Sequence, residues 1–375
     1  MTVARAHHPA AAESRAACAT EVQRRGSASE WVRELQAWFR SARRDLPWRR
    51  RRDPYAVWIS ETMLQQTRVE VVVPYFERFL ARYPTVADLA AAPVEDVLAA
   101  WSGLGYYRRA RALHAAARTV VQRHAGELPA SRAALLALPG VGPYTAGAVA
   151  SIAFDAPEPL VDGNVARVLA RIFALEAAPE SAEFRAATWR IAGELVTALE
   201  GSSPGAWNQA LMELGALVCV PRAPRCPECP VRACCRAAAD GLTDSLPVPK
   251  RRPAAIGVEL HVALARDGER LVVAERPERG RMAGLLELPT CEPSGGRLLH
   301  APEWPRAEGG WISAGEELGS VSHAITKHRI RARVFAARWN GAPPTAPLRL
   351  LSAAEAAQRG LTGLAAKVLR ARFAR

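Results

Sequence analysis

Four cysteines, Cys219, Cys226, Cys229 and Cys235, follow the spacing C-x6-C-x2-C-x5-C. Four thiolates within seventeen residues can enclose one small inorganic centre, either a [4Fe–4S] cluster or a tetrahedral zinc ion. Both centres accept four thiolates, so the ligand set alone leaves the choice open. Zinc sites more often pair two C-x-x-C knuckles, and only one such knuckle is present here. Cys234 competes with its neighbour Cys235, and the spacing favours Cys235. Cys18 and Cys291 stand apart from this cluster. With no secretory signal recognisable, clustered cysteines point to metal binding, not to disulfides. Arg222, Arg225 and Arg232, interleaved with the cysteines, offer cations to a phosphate backbone, or are plain solvated charge.

Leu138-Pro-Gly-Val-Gly-Pro-Tyr-Thr-Ala-Gly147 forms a second constellation. Gly140 and Gly142 in a tight turn would expose backbone N–H groups at the start of a helix, a terminus that attracts phosphate. A lone G-x-G is common in loops, so its weight comes from the small-residue helix predicted over Thr145–Ala153. Two carboxylates complete the inventory. Glu61 stands among Trp58, Ile59, Met63 and Leu64 in a predicted helix, where desolvation would raise its pKa and hold it protonated near neutrality. A solvated surface glutamate is the ordinary alternative. Asp162, in Val161-Asp-Gly-Asn164, reads by itself as a turn.

These residues need elements to position them. Ser27 and Glu30 have the spacing of a capping box. After them Trp31, Leu35, Trp38 and Phe39 recur at helical intervals. From there to about residue 218 helix follows helix, with breaks near Pro47, Pro84, Gly103, Pro139 and Pro204. Residues 1–26 read as a flexible tail, 27–239 as an all-α domain, and the Pro-rich 240–255 as a linker. From residue 256 the texture changes. Val258, Leu260, Val262 and Leu264 alternate, Asp267-Gly268 marks a hairpin, and Ile330, Ala332, Val334 and Ala336 alternate with arginines. A helix is predicted from about Leu361 to Phe373. Residues 256–375 are therefore an α+β domain.

A length of 375 residues suits two such domains. No run of about eighteen apolar residues occurs, which argues against a membrane span. A cytoplasmic, nucleoid-associated monomer is expected. The net charge of +13 favours polyanionic partners. Codon bias is an alternative source of that charge, since only three of the fifty basic residues are lysine.

The cysteine spacing resembles the iron–sulfur loop of endonuclease III and MutY glycosylases, and it is this resemblance that implies a [4Fe–4S] cluster. The Leu138–Gly147 segment resembles the helix-hairpin-helix of DNA glycosylases. The Trp58–Arg68 run, Leu46-Pro-Trp-Arg49 and Trp101-Ser-Gly-Leu-Gly-Tyr-Tyr-Arg-Arg-Ala110 are similar to MutY-type segments, so that the likeness spans about residues 30–236. It implies a glycosylase that removes adenine facing 8-oxoguanine, or guanine, in double-stranded DNA. Glu61 would then be the general acid and Asp162 the stabiliser of an oxocarbenium-like sugar, with Tyr144 and Asn164 assisting. Trp48, Arg49, Leu64 and Gln209 match the family's adenine pocket. Gln66, with Thr67 beside it in the same run, and Tyr106 match residues that wedge or fill the vacated base stack. Tyr144 replaces the lysine of endonuclease III, and residues 1–249 contain no lysine. An amine is obligatory for Schiff-base strand cleavage, so a monofunctional enzyme is expected.

Residues 256–375 resemble the MutT-like (Nudix-like) C-terminal domain of MutY proteins, chiefly through Arg276–Pro289. No Glu-rich magnesium helix follows, so binding without hydrolysis is expected. The family's Phe-Ser-His lesion sensor corresponds to Val321-Ser322-His323, which implies hydrogen bonding by Ser322 and His323 without the stacking aromatic. Two other readings are weaker: an endonuclease III-like lyase, opposed by Tyr144, and a non-catalytic iron–sulfur DNA-binding protein, opposed by the retention of Glu61 and Asp162.

Overall fold

The structure, a computed structural model, describes residues 28–50, 53–199, 201–249, 254–277, 284–291, 310–325 and 327–371. Ser27 of the capping pair, the tail 1–26 with Cys18, and the basic run Lys250–Arg252 lie outside them, as does most of the 278–309 segment.

Helices occupy the chain in this order: α1 (Ala28–Ala42), α2 (Pro54–Leu64), α3 (Val69–Arg82), α4 (Val86–Ala91), α5 (Val94–Ala100), α6 (Arg108–Arg123) and α7 (Arg132–Leu136). They continue as α8 (Pro143–Phe154), α9 (Gly163–Ile172), α10 (Ala182–Thr197), α11 (Pro204–Leu217) and the short α12 (Arg236–Ala239). Strands follow: β1 (Ile256–Asp267), β2 (Arg270–Glu275), β3 (Leu286–Glu287), β4 (Thr290–Cys291), β5 (Gly310–Ile325), β6 (His328–Gly341) and β7 (Leu348–Leu351). Two helices, α13 (Ala353–Arg359) and α14 (Gly363–Arg370), close the described chain. None of the helices among the described residues is long and apolar enough to cross a membrane.

The chain forms two compact units: residues 1–62 with 127–251, and residues 63–126 with 252–375. One crossing falls within the predicted linker. Another falls inside α2, between Thr62 and Met63, so the helical region is divided where composition shows no change. Within the second unit α5 packs on α13, and the buried Tyr107 hydroxyl donates to the Leu361 carbonyl at 3.4 Å. Composition cannot reveal which helical segment a β-rich segment packs against.

The first unit is built on an apolar core. Trp31, Leu35 and Phe39 of α1 are buried there, with Trp38 packed against them, beside Leu160, Val165, Val168, Trp207 and Leu211. The predicted break near Pro204 lies between α10 and α11, and Pro204 starts the second of these: it occupies the first turn of α11, where its missing N–H costs nothing. Helix α8 is buried along nearly its whole length because its side chains are small. Gly147 makes that possible: a Cβ there would stand 2.1 Å from the Pro159 carbonyl oxygen. The extended segment leading to Asp162 thus lies directly on α8.

The second unit contains a mixed seven-stranded sheet, ordered β3-β2-β1-β6-β5, with β4 on β1 and β7 on β2. β1 and β6 run parallel and the other pairs antiparallel. The predicted hairpin is present, with Asp267 opposite Arg270 and Gly268 at φ +60°. Both faces of the sheet are covered. Val262, Leu264, Ile330, Ala332 and Val334 join one core, and Ala263, Ala265, Ala337 and Trp339 join another. The alternation in β6 changes face after Val334, which is why Ala336 is only half-buried.

Gly147→Ala is expected to destabilise the protein by about 1–3 kcal/mol, because the methyl group meets backbone that cannot rotate away. A thermal-melting comparison checks it; an unchanged midpoint would show that α8 can shift.

Candidate active site

Asp53 starts α2 by accepting the backbone N–H groups of Tyr55 at 3.1 Å and Ala56 at 3.2 Å. From Tyr55 to Met63 every residue of that helix is buried. Glu61 is therefore enclosed on all sides, at 3% exposure. The Tyr144 hydroxyl, at the start of α8, donates to its Oε2. Burial pushes the Glu61 carboxyl up to about 7; the Tyr144 hydrogen bond and the Arg49 charge pull it down, and the Asp162 charge pushes it further up. Tyr144 is itself driven well above the usual phenol range by burial and by the two carboxyl groups. It is a neutral hydrogen-bond donor.

Asp162 is the N-cap of α9. Its Oδ1 accepts the Val165 N–H at 2.7 Å, and its Oδ2 accepts the Asn164 side-chain amide at 3.2 Å. Burial pushes this carboxyl up, while the Val165 and Asn164 donors and the Arg167 charge hold it down. A helix N-terminus favours the anion. Arg167 extends the connection, donating to the Asn164 side chain at 2.9 Å, the Gly215 carbonyl at 2.7 Å and the Cys219 carbonyl at 2.8 Å. Glu61, Tyr144, Asp162 and Asn164 all belong to the first unit.

Trp48 is buried in a short 3-10 turn, Pro47–Arg49. Arg49 stacks over Phe39 at 5.5 Å and is engaged by a residue the sequence reading missed, Glu213. This carboxylate, 1% exposed, accepts from Arg49 at 3.1 and 2.9 Å and from the Arg44 side chain at 3.0 and 2.8 Å. The Arg44 backbone N–H adds a bond of 2.8 Å. Burial raises the Glu213 carboxyl, but the hydrogen bonds of the two arginines outweigh it and hold it at about 2. The signal was an acid between Met212 and Leu214 on an apolar helix. Its partners, more than 160 positions away, were not legible. Gln209, on the same helix, is half-buried and donates to the Gly205 carbonyl at 3.2 Å.

Gly140 adopts φ +74°, the left-handed conformation that favours glycine. Gly142 is the N-cap of α8, with Pro143 in its first turn. Where a Cβ would stand on Gly142 there is open space. The predicted turn before a small-residue helix is thus present.

Cys219, Cys226, Cys229 and Cys235 line one small cavity together with Arg171 and Val168. Cys234 is not among its lining residues, and its Sγ faces the Val231 carbonyl at 3.1 Å. Arg171, 2% exposed, donates to Cys219 Sγ at 3.4 Å and to the carbonyls of Val220, Pro221 and Leu246. Burial, then the neighbouring thiols, pushes Cys229 up to about 12. Such sulfurs stay protonated until a cationic centre neutralises them. Among the described residues no three His, Cys, Asp or Glu side chains converge closely enough to hold a single ion. A donor set of four thiols around one cavity fits a thiolate-ligated metal centre. Arg222, Arg225 and Arg232 are exposed around it.

The remaining predicted residues belong to the second unit. Leu64 ends α2 and is half-buried. Gln66 and Tyr106 are exposed and have φ of +58° and +49°, and the Thr67 hydroxyl accepts from Arg109 at 3.1 Å. In β5, Val321 is turned into the core. Ser322 is exposed and His323 half-buried; successive strand residues face opposite ways, so these two are not brought to one point. The Ser322 carbonyl accepts from Lys367 Nζ at 2.6 Å, and burial, then Lys367, pulls the His323 pKa down.

Residues 59–194 match the HhH-GPD superfamily of base excision DNA repair proteins. The chain is 37% identical over 371 residues to an adenine DNA glycosylase of Rattus norvegicus, covering 83% of this chain and 71% of the rat protein. It belongs to the adenine DNA glycosylase family. An adenine DNA glycosylase of Homo sapiens is 48% identical over 212 residues, covering 54% of this chain but only 38% of the human protein. Among solved structures, a thermostable thymine-DNA glycosylase superposes with a TM-score of 0.51 at 30% identity, over 57% of this chain and 97% of that one. That similarity supports the all-α glycosylase fold. The α+β character of residues 256–375 is seen directly in the mixed sheet.

Glu213→Gln is expected to cost about 3–5 kcal/mol at neutral pH, since it leaves two arginines facing a neutral amide. Because folding depresses this pKa, the contribution of Glu213 is complete above its unfolded value of about 4.5. It is lost as pH falls from there through about 2. Melting curves of both proteins across that range, converging only in acid, check the assignment.

Proposed function

We propose that this chain is a monofunctional base excision repair glycosylase that hydrolyses the N-glycosidic bond of adenine facing 8-oxoguanine, or guanine, in double-stranded DNA. The observation that carries this reading is Glu61, held protonated near neutrality by enclosure and set with Tyr144 and Asp162 in one unit.

Cleaving the bond leaves a cationic sugar and a poor purine anion, and these need opposite groups. Glu61 transfers its proton to adenine, at N7, as the bond from N9 to C1′ breaks and its electron pair leaves with the base. The Asp162 carboxylate faces the developing cation or bonds to it transiently. Ionised Glu61 then takes a proton from the water that adds to C1′, which returns the enzyme to its starting state. Tyr144 holds the Glu61 carboxyl in place, and Asn164 orients Asp162. Trp48, Arg49, Leu64 and Gln209 are assigned to the adenine, and Gln66 and Tyr106 to the opened stack, with Thr67 beside Gln66 in the DNA-facing run. Gly140 and Gly142 present backbone donors to phosphate.

Cys219, Cys226, Cys229 and Cys235 are assigned to a [4Fe–4S] cluster, which when bound fixes the 219–235 loop and its arginines for the DNA backbone. Recognition of 8-oxoguanine falls to Ser322 or His323, with Val321 buried and unable to stack. No lysine stands where Tyr144 does, so strand cleavage by β-elimination lacks its amine.

Wild-type protein is expected to release free adenine from duplexes with adenine facing 8-oxoguanine or guanine, but not thymine, with strand breaks only after alkali. No release from any duplex would overturn the proposal. Glu61→Gln should retain duplex binding and lose about 10²–10⁴-fold in single-turnover rate. The wild-type rate should fall as pH rises through about 7, where Glu61 loses its proton. A folded pKa above the unfolded one means stability lost as pH rises from about 4.5 to 7. Glu61→Gln should therefore melt higher than wild type at pH about 8, by up to about 3 kcal/mol. Asp162→Asn should lose a comparable rate yet keep its melting temperature, because asparagine caps a helix as well as aspartate does.

A further inference from the structure

In the second unit one buried arginine joins two turns that the sequence keeps about forty residues apart. Arg109, in the first turn of α6 and 7% exposed, donates from Nη1 to the Met63 carbonyl at 2.8 Å and the Gln65 carbonyl at 2.6 Å. From Nη2 it reaches the Thr67 hydroxyl at 3.1 Å, the Leu104 carbonyl at 3.3 Å and the Gly105 carbonyl at 3.1 Å. Its guanidinium lies 5.4 Å from the Trp101 ring centroid and 5.5 Å from that of Tyr106. Three of the acceptors bracket Gln66 and two immediately precede Tyr106.

Those two bracketed residues share an unusual state. Gln66 and Tyr106 both have left-handed backbones. Both are exposed, Tyr106 at 45%. Left-handed conformations in non-glycine residues persist only where surroundings over-determine them. Here the surroundings converge on one planar fork of donors. The 101–107 turn is braced besides: Trp101 Nε1 donates to the Gly105 carbonyl at 3.2 Å, and the Tyr75 hydroxyl to the Ser102 carbonyl at 2.7 Å. In the 64–67 turn the Thr67 N–H donates to the Leu64 carbonyl at 3.2 Å.

We propose that Arg109 is a positioning residue that fixes the Gln66 turn against the Tyr106 turn, so that both side chains enter the DNA stack at one set separation when the target nucleoside is extruded. This rests on the reading above in which Gln66 and Tyr106 fill that stack. Arg109 is not itself a wedge; it acts through the carbonyls that precede the two wedge residues and the Thr67 hydroxyl that follows Gln66. A lysine keeps the charge but gathers its three donors at one point, and it cannot span acceptors on two loops. Desolvation lowers the Arg109 pKa to about 10, so the guanidinium keeps its charge at every pH the enzyme meets.

The test is single-turnover adenine release by Arg109→Lys at saturating enzyme, on two substrates. One is a duplex with adenine facing 8-oxoguanine; the other carries the adenine in a one-base bulge, where extrusion costs least. The duplex rate is expected to fall about 100-fold, as a misplacement near 1 Å can do, and the bulge rate by less than about tenfold. The fall in rate with rising pH should keep its midpoint, and affinity for undamaged duplex should not change. Equal losses on the two substrates, a duplex rate within about threefold of wild type, or a displaced pH midpoint would each overturn the proposal. Should Arg109→Lys melt far below wild type, Thr67→Val decides. It removes one acceptor at near-constant volume and should slow the duplex reaction alone, by about tenfold; no loss, or equal loss, overturns the clamp. Gln66→Ala and Tyr106→Ala separate the two claims. If both lose the duplex-specific rate while Arg109→Lys and Thr67→Val do not, only the clamp fails. If wild type releases adenine from neither substrate, the functional reading has failed.

Discussion

A carboxyl group buried in the first unit loses most of its contact with water, and Glu61, at 3% exposure, is held in that state before substrate arrives. Helix α2 is buried from Tyr55 to Met63, so Glu61 has no route to solvent along its own element. The Tyr144 hydroxyl, a neutral donor, reaches its Oε2 and orients the carboxyl without ionising it. Desolvation disfavours the charged form, and this outweighs both the tyrosine and the distant Arg49 charge. Everything around the site serves that imbalance. Asp53 closes the start of α2, Gly147 lets α8 lie against the Asp162 segment, and Glu213 occupies the guanidinium of Arg49.

Glu61 and Glu213 show how one residue type takes opposite roles. Both are almost fully buried. Glu213 meets two forked guanidinium groups and stays ionised to about pH 2, whereas Glu61 meets a phenol and keeps its proton to about 7. Charge-assisted, two-pronged pairing is the strong form of the hydrogen bond. The difference lies in the partners, not in the depth of burial. Asp162 occupies a third condition, raised by burial but held down by the donors of Val165 and Asn164 at a helix N-terminus.

Much of this was legible in the sequence where chemistry depends on local spacing. The four cysteines, the Gly140–Gly142 turn and the buried setting of Glu61 all follow from residues within one or two turns of chain. The alternations of β1 and β6 gave strands for the same reason, and failed only at Ala336, where β6 changes its buried face. What was hidden depends on contacts across the fold. Glu213 was invisible as a partner of Arg44 and Arg49 because nothing local marks a pairing over more than 160 positions. Arg109 stood in plain view beside Tyr106 and gave no sign that its guanidinium reaches back to Met63 and Gln65. Ser322 and His323 were adjacent in sequence, and it is that adjacency in a regular strand that turns them apart.

The grouping of residues 63–126 with the β-rich segment also bears on how the protein can be dissected. A fragment ending at the proline-rich stretch near residue 240 would keep every group assigned to proton transfer. It would also strip α5 of α13 and uncover the Tyr107 ring, whose hydroxyl now meets the Leu361 carbonyl. Expressing the helical portion alone would remove the contact that Tyr107, next to Tyr106, makes with the β-rich segment.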